Sequence, residues 1–118
     1  MKPAAPSPDV IIALLVRAGM KRILAKFITH LAKNKQADVL AIQRGANLRQ
    51  PDISRAARMA EKKGWITTER GMGALDRPVN IYKLAVSLEK ILEEVEEAAR
   101  ENREVQQARI ERARRMAR

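Results

Sequence analysis

The stretch from residue 48 to residue 84 constrains this chain more than any other. It reads Leu48-Arg49-Gln50-Pro51-Asp52-Ile53-Ser54-Arg55, continues as Ala56-Ala57-Arg58-Met59-Ala60-Glu61-Lys62-Lys63, and breaks at Gly64 before Trp65-Ile66. Proline fits the first turn of a helix, where its missing N–H is not needed, and glycine fits the end. The pattern therefore predicts a helix over 51–63. Residues 65–70 and 79–85 are rich in β-branched and aromatic side chains and predict two strands. The joining segment Gly71-Met72-Gly73-Ala74-Leu75-Asp76-Arg77-Pro78 is dense in turn formers. A helix handing over to a hairpin is a strong restriction on what can be built.

Upstream, residues 1–8 contain Pro3, Pro6 and Pro8. They are expected to form a disordered tail, with Ser7 capping a helix that starts at Pro8 and stops at Gly19. A second helix is expected from Met20 to about Lys33. Its apolar residues Met20, Leu24, Phe27, Ile28 and Leu31 recur with helical spacing. A short third helix, about 38–44, has Asp38 at its start, and Gly45 suits the left-handed residue that would end it. Gly45-Ala46-Asn47-Leu48 is then a short turn between two helices, the layout of a helix-turn-helix.

On a helical wheel Ile53, Ala57 and Ala60 fall on one side of the 51–63 helix. Ser54, Arg55, Arg58 and Lys62 fall roughly 100° to 200° away from Ile53. Arg49 and Gln50 lie at the N-terminal end, which in helix-turn-helix proteins reaches the base edges. Gln can pair with adenine and Arg with guanine through two hydrogen bonds each, while Ser and Lys more often hold phosphate. A solvated helix face is the competing reading. Asp52 either complements the helix N-terminus or accepts from a cytosine amino group. Arg70 and Arg77 frame the hairpin tip, as groove or backbone contacts or as ordinary strand-end charge.

Charge favours a polyanion partner. The chain carries 24 Lys and Arg against 14 Asp and Glu, a net +10. Residues 1–85 hold 16 of the cations and 6 of the acids, so the whole surplus lies there; residues 86–118 hold 8 of each. Solubility alone does not require so one-sided a distribution.

From Val86 onward there is neither Gly nor Pro, and the residues are strong helix formers. Leu84, Leu88, Ile91, Val95, Ala98, Asn102 and Val105 are spaced as a heptad seam, which shifts beyond Val105 as a stutter would make it. Residues 86–101 hold six Glu against Lys90 and Arg100; residues 103–118 hold six Arg against Glu104 and Glu111. The halves carry −4 and +4. An antiparallel pair would match each half to its opposite and bring Asn102 near its mate, which predicts an antiparallel homodimer. The same order of charge also complements a single helix's dipole, and the Arg-rich end could instead reach DNA.

Several classes of function find no support. Cysteine is absent, so disulfides and cysteine-ligated metals are excluded. Phe27, Trp65 and Tyr82 are the only aromatic residues, too few for the stacking platforms of single-strand binders. His30 is the sole histidine; it lies off the apolar stripe of its helix and should be partly exposed. The glutamates at 93, 94, 96 and 97 read as a solvated face. No catalytic residues, metal site or cofactor motif emerges, and the expectation is a protein that is not an enzyme. The apolar run Val10–Val16 is far short of the ~20 residues that span a bilayer. Asp9 before this run, and the absence of a small-residue cleavage site after Arg17, argue against a signal peptide. The expected location is cytoplasmic, on the nucleoid.

The sequence resembles the archaeal winged-helix transcriptional regulators related to the MarR and TrmB groups. The run Leu48-Arg49-Gln50-Pro51-Asp52-Ile53-Ser54, then Gly64-Trp65-Ile66, then Arg77-Pro78-Val79-Asn80-Ile81-Tyr82-Lys83-Leu84 carry the likeness, which covers roughly residues 10–95. It implies a dimeric, sequence-specific binder of double-stranded DNA that uses the helix from Pro51 and the wing. Ala57 and Ala60 stand where related helices often carry leucine, so either the helix packs closer or Met59 and Trp65 fill the core. The TrmB group has a sugar-binding domain after its wing; these 118 residues hold none, and no effector is implied.

The expected fold is mainly α with a small β-wing: a tail over 1–8, a winged helix-turn-helix over 9–85, and a dimerisation helix over 86–118. Its seam would be Leu88, Ile91, Val95, Ala98, Asn102 and Val105. Two other functions remain open at this point. One is a chromatin or plasmid-maintenance protein that coats DNA; the other is a protein-interaction module of winged-helix shape.

Overall fold

A computed structural model gives the architecture, and residues 7–73 and 75–118 are described. The expected tail falls largely on residues 1–6, outside the described residues. The elements run α1 (Pro8–Ala18), α2 (Arg22–Asn34), β1 (Gln36–Asp38), α3 (Val39–Ala46), α4 (Gln50–Lys62), β2 (Ile66–Met72), β3 (Pro78–Leu84) and α5 (Leu88–Met116). The fold is the expected one, mainly helical with a small antiparallel sheet and a long C-terminal helix.

Two glycines end helices in the same way. At the end of α1 the Met20 N–H donates to the Leu15 carbonyl at 3.0 Å and the Gly19 N–H to Val16 at 3.1 Å. At the end of α4 the Trp65 N–H donates to Ala60 and the Gly64 N–H to Glu61, each at 3.0 Å. Gly19 and Gly64 have φ of 119° and 73°, values that L side chains rarely adopt. In both cases the residue after the glycine, Met20 or Trp65, is buried and pins the exit.

The third helix ends differently from expectation. It runs on through Gly45 to Ala46, and Asn47 takes the left-handed conformation with φ 53°. Within the helix, glycine at 45 leaves room for α2, because a Cβ there would collide with the His30 imidazole. The helix begins as expected, with the Asp38 carboxylate accepting from the Ala41 N–H at 2.9 Å. Met20 also precedes α2 rather than opening it.

Strand β1 was not anticipated. Its three residues pair antiparallel with β3, Ala37 opposite Tyr82, and give a sheet of order β1-β3-β2. The first wing strand runs on to Met72, past the expected end at Arg70, and the second is shifted by one residue, with register from Ile66 opposite Leu84 to Met72 opposite Pro78. Leu84 therefore belongs to β3 and not to the C-terminal helix, so the apolar seam there starts at Leu88.

The core lies between α1, α2, α4 and the sheet, with Leu15, Phe27, Ile28, Leu31, Ile42, Ile53 and Ile91 almost fully buried. Phe27 meets Tyr82 edge to face, ring centroids 5.6 Å apart. Trp65 is buried and its indole N–H donates to the Glu94 carboxylate, tying the start of the wing to α5. Glu94 is thus not simply a solvated acid. Only the first part of α5 packs on the protomer: Ile91 and Val95 are buried, while every residue from Arg100 to Arg118 is exposed. Among the described residues no helix is long and apolar enough to cross a membrane.

Candidate nucleic-acid interface

Helix α4 is held by a row of small side chains. Ile53, Ala56, Ala57 and Ala60 are all buried. Three alanines let α4 sit close to its neighbours, and buried Trp65 and partly buried Met59 belong to the same core. Ala56 joins the buried side although the wheel did not single it out. Its neighbour on the same row, Ala60, has no accessible surface at all.

Fixing that side fixes the other. Arg49, Gln50, Ser54, Arg55, Arg58 and Lys62 are all exposed, as the wheel predicts. Arg49 is the cap residue of α4 with extended backbone, yet its side chain makes no capping hydrogen bond and stays free. Asp52 pairs with Arg55 at 3.6 Å on the same helix, and more than half of the Arg55 side chain is accessible. Such an exposed pair contributes little and leaves the guanidinium able to exchange partners.

The wing stands beside this face. The Thr68 hydroxyl donates to the Glu61 carboxylate and links β2 to α4. Arg70 donates to the Asn80 side-chain oxygen at 3.1 Å, across a register pair of the hairpin. The tip is closed by the Gly73 N–H donating to the Arg77 carbonyl at 2.9 Å, and Arg77 is exposed there. Ala74, inside the tip, is outside the described residues.

Two hollows flank the exposed row of α4. One lies toward the wing and is lined by Ser54, Ala57, Arg58, Glu61, Asn80 and Tyr82. The other lies toward the start of α2 and is lined by Lys21, Ile23, Arg55, Arg58, Met59 and Lys62. Sequence reasoning did not single out Lys21, Glu61 or Asn80 for this surface. Asn80 was reachable, because strand alternation puts it on the face of Tyr82. Lys21 was not, since nothing in its local pattern says which helix it will stand beside.

The C-terminal residues divide. Ile91 and Val95 point into the protomer's own core and Leu88 is partly buried, whereas Ala98, Asn102 and Val105 are exposed. His30 is partly buried and its pKa is lowered by that desolvation. Among the described residues no group of three or more His, Cys, Asp or Glu is placed to hold a metal ion.

No family model matches this sequence, and no curated protein matches it. Solved structures similar over most of the chain include the following two. One is a possible transcriptional regulator from Methanosarcina mazei Go1, 16% identical, with TM-score 0.54 over 84% of this chain and 85% of that one. The other is NadR in complex with 4-hydroxyphenylacetate, 19% identical, with TM-score 0.54 over 98% of this chain and 89% of that one. At such identities the likeness is one of fold, and together with the helix-turn-helix, hairpin and long terminal helix it makes this chain a winged-helix protein.

Proposed function

We propose that this chain is a sequence-specific, double-stranded DNA-binding transcriptional regulator of the MarR/TrmB-like kind. Helix α4 enters the major groove, and the 71–78 wing lies on the minor groove or backbone. Arg49 and Gln50 reach base edges; Ser54, Arg55, Arg58, Lys62, Arg70 and Arg77 hold the duplex. The observation that carries this reading is the α4 face. Its three cations Arg55, Arg58 and Lys62 and its free N-terminal Arg49-Gln50 are all exposed on the part of the chain that holds the whole +10. That one protein of similar fold is described as a possible transcriptional regulator supports it.

The active species is a homodimer, with residues 9–85 reading one half-site and the C-terminal helix joining the copies. Two features support this. The second half of α5 packs on nothing among the described residues and exposes Val105 and Ile110 at 48% and 47%. The +4 of residues 103–118 complements the −4 of residues 86–101. Ala98, Asn102 and Val105 form the contact, with Leu88, Ile91 and Val95 anchoring the helix to its own protomer. The protein acts in the cytoplasm, on the nucleoid.

Selection of bound sequences from a random duplex pool, followed by footprinting, tests the reading. A pseudo-palindromic site is expected, with half-site preferences that change in Gln50→Ala and Arg49→Ala. Equal affinity for random and selected duplexes at physiological salt would instead mark a protein that coats DNA. Unchanged affinity in Arg55→Ala and Arg58→Ala would mark a protein-interaction module.

A further inference from the structure

The two hollows beside α4 differ in charge. The wing-side hollow contains the Glu61 carboxylate, held in place by the Thr68 hydroxyl. The cleft toward α2, about 390 Å³, contains no acid. Its walls are Lys21 from the start of α2 and Arg55, Arg58 and Lys62 from α4; its apolar lining is Ile23 and Met59. Lys21, Arg58 and Lys62 make no ion pair among the described residues, and Arg55 has only its exposed contact with Asp52. Four cations around one depression repel each other, and an anion placed among them would remove that repulsion. The apolar lining offers no hydrogen-bond acceptor to compete with such an anion.

We infer that this cleft receives a backbone phosphate of the duplex, and that Lys21 is a DNA-contacting residue supplied by α2. The inference rests on the DNA-binding reading and adds a direction to it. One strand's backbone runs along the α2 side of α4, where the residues lining the cleft include four cations and no acid. The wing side, with its carboxylate, is left to base edges and to the neighbouring groove. A phosphate gripped between two helices also sets the angle at which α4 lies in the groove. Contacts of this kind position a protein on DNA and carry no sequence information.

The test compares Lys21→Gln and Arg58→Gln with the unaltered full-length chain, on the selected duplex and a random one, across a salt series. Lys21 is exposed, so the fold should survive; circular dichroism melting checks this. Lys21→Gln is expected to weaken binding several-fold and equally on both duplexes, and to lower the slope of log K against log salt by about 0.9. Lys21→Arg should restore both. If Lys21→Gln keeps wild-type affinity and slope while Arg58→Gln loses affinity, the two-helix cleft is wrong and the DNA-binding reading stands. A loss confined to one of the duplexes would also overturn the cleft. If neither substitution changes binding, both fail.

Discussion

Glu61 is the residue whose placement says most about how the α4 face works. It is the one acid on the exposed side of α4 toward the wing, and its carboxylate accepts from Thr68. Its negative charge opposes the approach of phosphate on that side. Glu61→Gln keeps the size and the hydrogen bond from Thr68 and removes the charge. Affinity for every duplex should rise several-fold at low salt, and the gain should fade as the ionic strength shortens the Debye length from about 10 Å at 0.1 M. Fluorescence anisotropy with labelled duplexes measures this. An unchanged affinity would mean that Glu61 faces away from bound DNA. Stability should move by less than about 0.5 kcal/mol, as for most exposed positions.

Helices α2 and α3 cross at Gly45, and this crossing sets where the helix-turn-helix bends. Read alone, Gly45 looks like a helix stop. In the fold the stop is Asn47, and Gly45 serves a contact between helices. Gly45→Ala would gain helix propensity, since Ala exceeds Gly by about 1 kcal/mol inside a helix. Against that, the new methyl collides with His30, and overpacking of this kind typically costs about 1–3 kcal/mol. The second effect should win, giving a net loss in urea unfolding. A His30→Ala, Gly45→Ala double variant should lack the added penalty of the clash. Stabilisation by Gly45→Ala alone would show that α3 can shift away from α2 at little cost.

At the scale of the whole molecule the long axis measures 67 Å. Helix α5, at 1.5 Å per residue, accounts for about 43 Å of helix. Its local support is the Glu97–Arg100 pair at 2.9 Å before the midpoint and the Gln107–Glu111 hydrogen bond at 3.5 Å after it. Contacts of this sort are each worth a few tenths of a kcal/mol, so the partner helix of the proposed homodimer would supply most of the outer half's stability. The absence of cysteine makes single-cysteine cross-linking clean. In the antiparallel homodimer Asn102→Cys should form a disulfide-linked dimer. Glu89→Cys should not, because the two positions would lie about 40 Å apart at 1.5 Å per residue. Non-reducing electrophoresis reads the result, and the reverse outcome would overturn the antiparallel arrangement.

The chain by itself determined the order and chemistry of its elements. Pro8, Pro51, Gly19 and Gly64 mark helix ends through their own backbone limits. The 3.6-residue repeat of Ile53, Ala57 and Ala60 decides which α4 side chains face outward, because burial of one face leaves the other to solvent. Only the tertiary structure decided what each outward face stands beside. Strand β1 exists because β3 offers it an edge, and glycine at 45 is a packing residue because His30 lies against it. Ile91 and Val95 have the spacing of a dimer seam, but packing against α1 and the rest of the core buries them at home. Lys21 reaches the Arg55–Arg58–Lys62 row for the same reason. Local patterns specify periodicity and ends, whereas neighbours distant in sequence are chosen by the packing of the whole core.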